Sequence, residues 1–94
     1  MKLAWTPNAR ADRDAIYTYI EANNPRAALE LDEIFANRAA QLASHPMIGR
    51  PGRVANTREL VVHPNYVLIY DIAGETIRIL RVLHTARRWP PGRE

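Results

Sequence analysis

Residues 58–84 read RELVVHPNYVLIYDIAGETIRILRVLH, and this stretch decides the fold. Arg58 to His63 alternates Arg58, Leu60 and Val62 against Glu59, Val61 and His63. Tyr66 to Ile72 is rich in β-branched and aromatic residues, and Thr76 to His84 is a third run of the same kind. Pro64-Asn65 and Ala73-Gly74-Glu75 are turn signals between them. Three strand-like runs joined by such short turns predict an antiparallel meander. In the last run strict alternation puts Ile77, Ile79, Arg81 and Leu83 on one face, and Arg78, Leu80, Val82 and His84 on the other.

Upstream the period changes. Thr6-Pro7 reads as an N-cap followed by proline at the first helical position. Ala9, Ile16, Tyr17 and Ile20 then recur at helical spacing, so a helix is expected from there to about Asn23. Asn24-Pro25 repeats the start signal. A second helix follows, with Ala28, Leu31, Phe35 and Leu42 on one stripe, ending near Ser44-His45-Pro46. With almost no loop between them, the two helices should form a hairpin. Leu3-Ala4-Trp5 is a brief first strand, and Ile48 to Arg53 is a Gly/Pro loop. The expected fold class is α+β, in the order β-α-α-β-β-β, with a helical hairpin packed on one face of an antiparallel sheet. The second sheet face, also partly apolar, would then be open to a partner, unless the helices and tail wrap both faces.

The 94 residues predict one domain over 1–94. No apolar run reaches the roughly 20 residues that cross a bilayer, and Met1 to Pro7 has no long apolar stretch of the kind a signal peptide needs. A cytoplasmic protein without membrane contact is therefore expected. With no cysteine, thiolate metal sites and cysteine catalysis are excluded. His45, His63 and His84 lack metal-ligand spacing, so no metal and no cofactor are expected.

Charge is distributed unevenly. Net charge is +3, and 12 of the 13 basic residues are arginine. Residues 1–46 carry five cations against six acids, whereas 47–94 carry eight against four. Within the second half the basic set Arg50, Arg53, Arg58, Arg81, Arg87 and Arg88, with His84, suits phosphate or an acidic protein surface. A His beside several Arg has its charged form disfavoured and suits a general base, although a hydrogen-bonded structural His explains it equally well. Trp89, next to Arg87-Arg88, either stacks on a base or anchors the tail. Tyr17, Tyr19 and Ile20 with Leu31, Ile34 and Phe35 read mostly as core, with a margin fit for a partner.

The order of short motifs resembles the RelE/ParE superfamily of toxins from bacterial type II toxin–antitoxin modules. They are Trp5-Thr6-Pro7-x-Ala9-x-x-Asp12, Ile16-x-x-Tyr19-Ile20, Asn24-Pro25-x-Ala27-Ala28 and Pro46-x-Ile48-Gly49-Arg50-Pro51-Gly52. Thr57-Arg58-Glu59-Leu60, Tyr66-Val67-Leu68-Ile69-Tyr70 and Ile79-Leu80-Arg81-Val82-Leu83-His84-x-Ala86-Arg87 follow. The resemblance spans nearly the whole chain. It implies the same architecture, a growth-inhibiting toxin of the plasmid-stabilisation kind, and a cognate antitoxin that wraps it, with the pair in a higher-order hetero-oligomer. Carried onto this sequence, antitoxin contacts fall on Trp5, Ile16, Ile20, Arg78 and Leu80.

The superfamily divides by target. ParE-like members inhibit DNA gyrase without covalent chemistry of their own, and RelE-like members cut mRNA on the ribosome. The resemblance is closer to ParE, which places gyrase contacts on Arg50, Arg53, Arg81, Arg87, Arg88 and Trp89. RelE-like cutters carry a cation after the tyrosine of the middle strand, where Val67 stands here, and this tail has no tyrosine after His84. The alternative is an endoribonuclease, an mRNA interferase with His84 as base and Arg58, Arg81 and Arg87 on the phosphate.

Overall fold

The computed structural model describes residues 1–86. Seven elements follow one another: β1 (Lys2–Trp5), α1 (Pro7–Glu21), α2 (Pro25–Ser44), β2 (Arg50–Pro51), β3 (Thr57–His63), β4 (Tyr66–Ala73) and β5 (Thr76–His84). The helix starts obey their caps. The Thr6 hydroxyl accepts from the Ala9 N–H at 3.1 Å, and the Asn24 side chain accepts from the Ala27 N–H at 3.1 Å. Proline at the first position of each helix loses no intrahelical hydrogen bond.

The sheet order is β1-β5-β4-β3-β2. Strands β2 to β5 are antiparallel, as the meander requires, and β1 joins the outer side of β5 in parallel. Two details were not expected. Arg50–Pro51, read as loop, is a two-residue edge strand on β3. The alternation of β5 also breaks, because β4 pairs Ile69 with Arg81 but Tyr70 with Ile79, which leaves Leu80 as a bulge. After the bulge the phase reverses. Val82 therefore joins Ile77 and Ile79 in the main core, while Leu83 moves to the opposite face with Leu80.

The helical hairpin covers one face. Leu31, Phe35, Ala39 and Leu42 of α2 pack on Leu60, Leu68, Tyr70, Ile77 and Ile79, with Trp5, Ile16 and Ile20 partly buried around them. The second face, left between an open and a covered arrangement by the sequence, holds a small buried apolar cluster. Val67, Ile69 and Leu83 are buried there, at 8, 2 and 5% exposure. They lie on the two most central strands, flanked on the same face by the cross-strand pairs Arg50–Glu59 and Arg78–Asp71.

Arg13 ties the hairpin together. Its guanidinium makes a two-pronged pair with Asp32 of α2, at 2.9 and 2.8 Å, and lies over the Trp5 ring, 4.4 Å from its centroid. Arg13→Ala should lower stability by about 1–2 kcal/mol, since a partly exposed fork pair and a cation–π contact are lost together. Thermal unfolding followed by circular dichroism reads this directly. Arg13→Lys should recover less than half of the loss, because an ammonium cannot make the fork.

Candidate functional site

Near the β3–β4 turn and the end of β5, four aromatic rings gather. Tyr66 stands in the centre. Its ring centroid lies 5.9 Å from His63, 5.4 Å from His84 and 5.6 Å from Phe35. Both imidazoles are held in the same way. Nδ1 of His63 accepts from the Asn65 N–H at 3.0 Å, and Nδ1 of His84 accepts from the Ala86 N–H at 3.1 Å. With Nδ1 an acceptor, the neutral ring carries its proton on Nε2. A cavity of about 210 Å³ opens on one side of Tyr66, lined by Asp12, Ala15, Ile16, Tyr19, Val82, Leu83 and His84. On its other side is one of about 300 Å³, lined by Ile20, Ala27, Glu30, Leu31, Ile34, His63 and Asn65. Tyr19, expected in the core, is 78% exposed, and Ile34 is 36% exposed. Both lie at the margin of the hairpin stripe, Tyr19 beside the first cavity and Ile34 beside the second.

Among the described residues, the expected cation cluster does not converge. Arg81 is turned to Asp12 of α1 in a fork, Nε to Oδ2 at 2.7 Å and Nη2 to Oδ1 at 3.1 Å. The same carboxylate accepts from the Val82 N–H at 2.9 Å, closing the edge of β5 where β1 has ended. Hydrogen bonding to Asp12 raises the Arg81 pKa above the usual arginine value. Arg58 donates to the carbonyls of Gly49 and Met47, at 3.0 and 3.3 Å. Arg50 pairs with Glu59 at 3.2 Å. Arg50 and Arg81 share one row across the sheet, through Glu59 and Ile69, but three strand spacings separate them, roughly 14 Å. Among the described residues His84 is therefore not surrounded by free guanidinium groups, and the environment expected of a general base is not built around it. Arg53 is exposed, without an acidic partner among the described residues. Arg87, Arg88 and Trp89 lie outside the described residues.

The residues assigned to antitoxin contact occupy two faces. Trp5, Ile16 and Ile20 line the helix side, and Ile16 and Ile20 border the two cavities beside Tyr66. Leu80 packs on the opposite face with Val67, Ile69 and Leu83, and Arg78 is exposed there, paired with Asp71. A partner touching all five must pass around the β5 edge. Sequence reasoning missed His63 as a companion of Tyr66. Its place beside a Pro-Asn turn was the available signal, since that turn folds β3 back on β4.

Among the described residues, no group of His, Asp or Glu is placed to hold a metal ion, and no helix is long and apolar enough to cross a membrane.

Comparison with known proteins agrees with this architecture. Residues 3–89 match the family model described as ParE toxin of type II toxin–antitoxin system, parDE. Toxin RelE2 of Caulobacter vibrioides is 40% identical over 86 residues, covering 92% of this chain and 97% of its own length. A solved structure described as the chromosomal ParDE system from P. aeruginosa superposes with a TM-score of 0.80 at 30% identity, covering 89% of this chain and 95% of that one. The RelBE2 toxin–antitoxin complex from Mycobacterium tuberculosis superposes with a TM-score of 0.61 at 28% identity, covering 88% and 95%.

Proposed function

This chain belongs to the ParE toxin family of type II toxin–antitoxin systems, and on that premise we propose that it inhibits DNA gyrase by surface contact, without cutting RNA. A cognate antitoxin holds it inactive by wrapping from the α1 side around the β5 edge. The observation that carries the gyrase reading is the fate of Arg58 and Arg81, the two described arginines of the rival phosphate-binding set. Cleavage of RNA beside a ribose 2′-hydroxyl needs cations on the phosphate next to a base, because charge develops there in the transition state. Arg81 is held by Asp12 and Arg58 by two loop carbonyls. Val67, where RNA-cutting relatives carry a cation, is buried in the second apolar cluster.

His84 then acts as a positioning residue for the chain leaving β5, through its bond from Ala86. His84→Ala should leave growth inhibition within about threefold of wild type when expressed without antitoxin, since an interface is spread over many contacts. Loss of essentially all toxicity from this one substitution, with the protein still folded, would contradict the reading.

A specific arrangement supports the second reading, an mRNA interferase. His84 is exposed, with its Nε2 side free of the Ala86 bond, and lies against Tyr66 at the mouth of a cavity. A relative 40% identical to this chain also carries the name RelE2. That reading predicts the opposite result for His84→Ala, a loss of about 100-fold or more for a missing acid–base group.

A further inference from the structure

The loop between α2 and β2 is held more firmly than a surface connection requires. Tyr70, fully buried in β4, donates its hydroxyl hydrogen to the Pro46 carbonyl at 2.7 Å and accepts from the Gly49 N–H at 3.0 Å. From β3, the Arg58 guanidinium donates to the carbonyls of Met47 and Gly49. Gly49 itself is buried against the Tyr70 ring. Two side chains of the sheet thus fix the backbone of residues 46–49. What this rigid loop presents outward is Met47, 62% exposed, and Ile48, 46% exposed. Other apolar side chains of the chain are as exposed, but these two are adjacent and sit on a backbone already fixed, and a preorganised contact loses little entropy on binding.

We propose that the Met47–Ile48 loop is a docking point for the toxin's protein target, at an apolar surface rimmed by acidic groups. This rests on the toxin reading given above. The loop lies along the outer edge of β3, beside Arg58, Glu59 and Tyr70, and none of its residues lines the Tyr66 cavities, so it is separate from that site. Its chemistry favours protein over nucleic acid. It offers no aromatic ring for a base to stack on, and its cations are mostly occupied. Arg58 serves the loop carbonyls and Arg50 faces Glu59, which leaves Arg53 as the exposed cation for an acidic rim. Phosphate binding draws on several free cations, whereas methionine and isoleucine suit an apolar protein contact.

The test is growth inhibition in cells expressing the full chain without antitoxin, beside the double variant Met47→Ser/Ile48→Ser and the single variant Arg53→Glu. Both variants change exposed side chains, and thermal unfolding of the purified proteins should match wild type. Toxicity of the double variant should fall about tenfold or more, as expected when two apolar contacts leave an interface centre. Arg53→Glu should weaken it less, by about threefold, as a rim charge does. A toxic wild type with an equally toxic double variant would overturn this inference alone. So would toxicity that survives in the double variant but vanishes with Arg53→Glu, which is the pattern of a phosphate contact. A wild-type chain that leaves growth unaffected would overturn the toxin reading, and this inference with it.

Discussion

Asp12→Ala is expected to cost about 2–4 kcal/mol of stability, the effect of breaking a largely buried ion pair discounted for partial exposure. The carboxylate does three things at once. It accepts two bonds from Arg81 and one from the Val82 N–H. The side chains are 17 and 24% exposed, so alanine leaves a guanidinium and an edge N–H that water reaches only in part, from the cavity beside Asp12. In a domain of this size the melting temperature should fall by about 10–20 °C. Asp12→Asn keeps an acceptor for Val82 and loses the charge, so roughly half the effect is expected. The pair joins α1 to the strand edge beyond β1, and proteolysis near residues 80–84 should accelerate in parallel. A melting temperature within about 2 °C of wild type for Asp12→Ala would show that the latch contributes nothing.

Gly49→Ala should be comparably damaging. A Cβ at this position would stand 2.6 Å from the Tyr70 hydroxyl, 2.7 Å from its ring and 2.8 Å from the Glu59 carbonyl oxygen. None of these is the end of a flexible chain. Either the loop lifts away, breaking both Tyr70 hydrogen bonds, or β3 and β4 shift in the core. Overpacking with the lost bonds amounts to about 2–4 kcal/mol. Tyr70→Phe tests the same junction from the other side and should cost about 1–3 kcal/mol, because the buried Gly49 N–H loses its acceptor. The two changes should be markedly less than additive, since removing the hydroxyl relieves the closest clash. Strict additivity in a double-mutant cycle of urea melts would contradict this account of the loop.

What the sequence revealed, and what it hid, follows from the range of the interactions involved. Thr6-Pro7 and Asn24-Pro25 bond to groups within a few residues, so both helix starts were legible. The turns at Pro64-Asn65 and Ala73-Gly74-Glu75 were equally local, and Gly74 takes the left-handed φ of 61° that its turn needs. The parallel pairing of β1 was hidden, because four residues carry no signal of direction. The bulge at Leu80 was hidden too. Strict alternation is the only rule available for a strand, and only the pairing with β4 shows where it fails. The partners of the described arginines were hidden for a related reason. Composition counts Arg81 as a cation but cannot show that Asp12, 69 residues earlier, folds against it. Arg58 appeared to be a phosphate binder because its loop carbonyl partners leave no mark in the sequence.

Whether this toxin acts on gyrase and leaves RNA intact is read by brief induction of the chain without antitoxin, with DNA breaks and SOS induction followed beside primer extension on abundant transcripts. Early DNA breaks and SOS induction with uncut transcripts are expected. Codon-phased transcript cuts with intact DNA would contradict the gyrase reading, and would make His84 and Tyr66 the place to look for the chemistry.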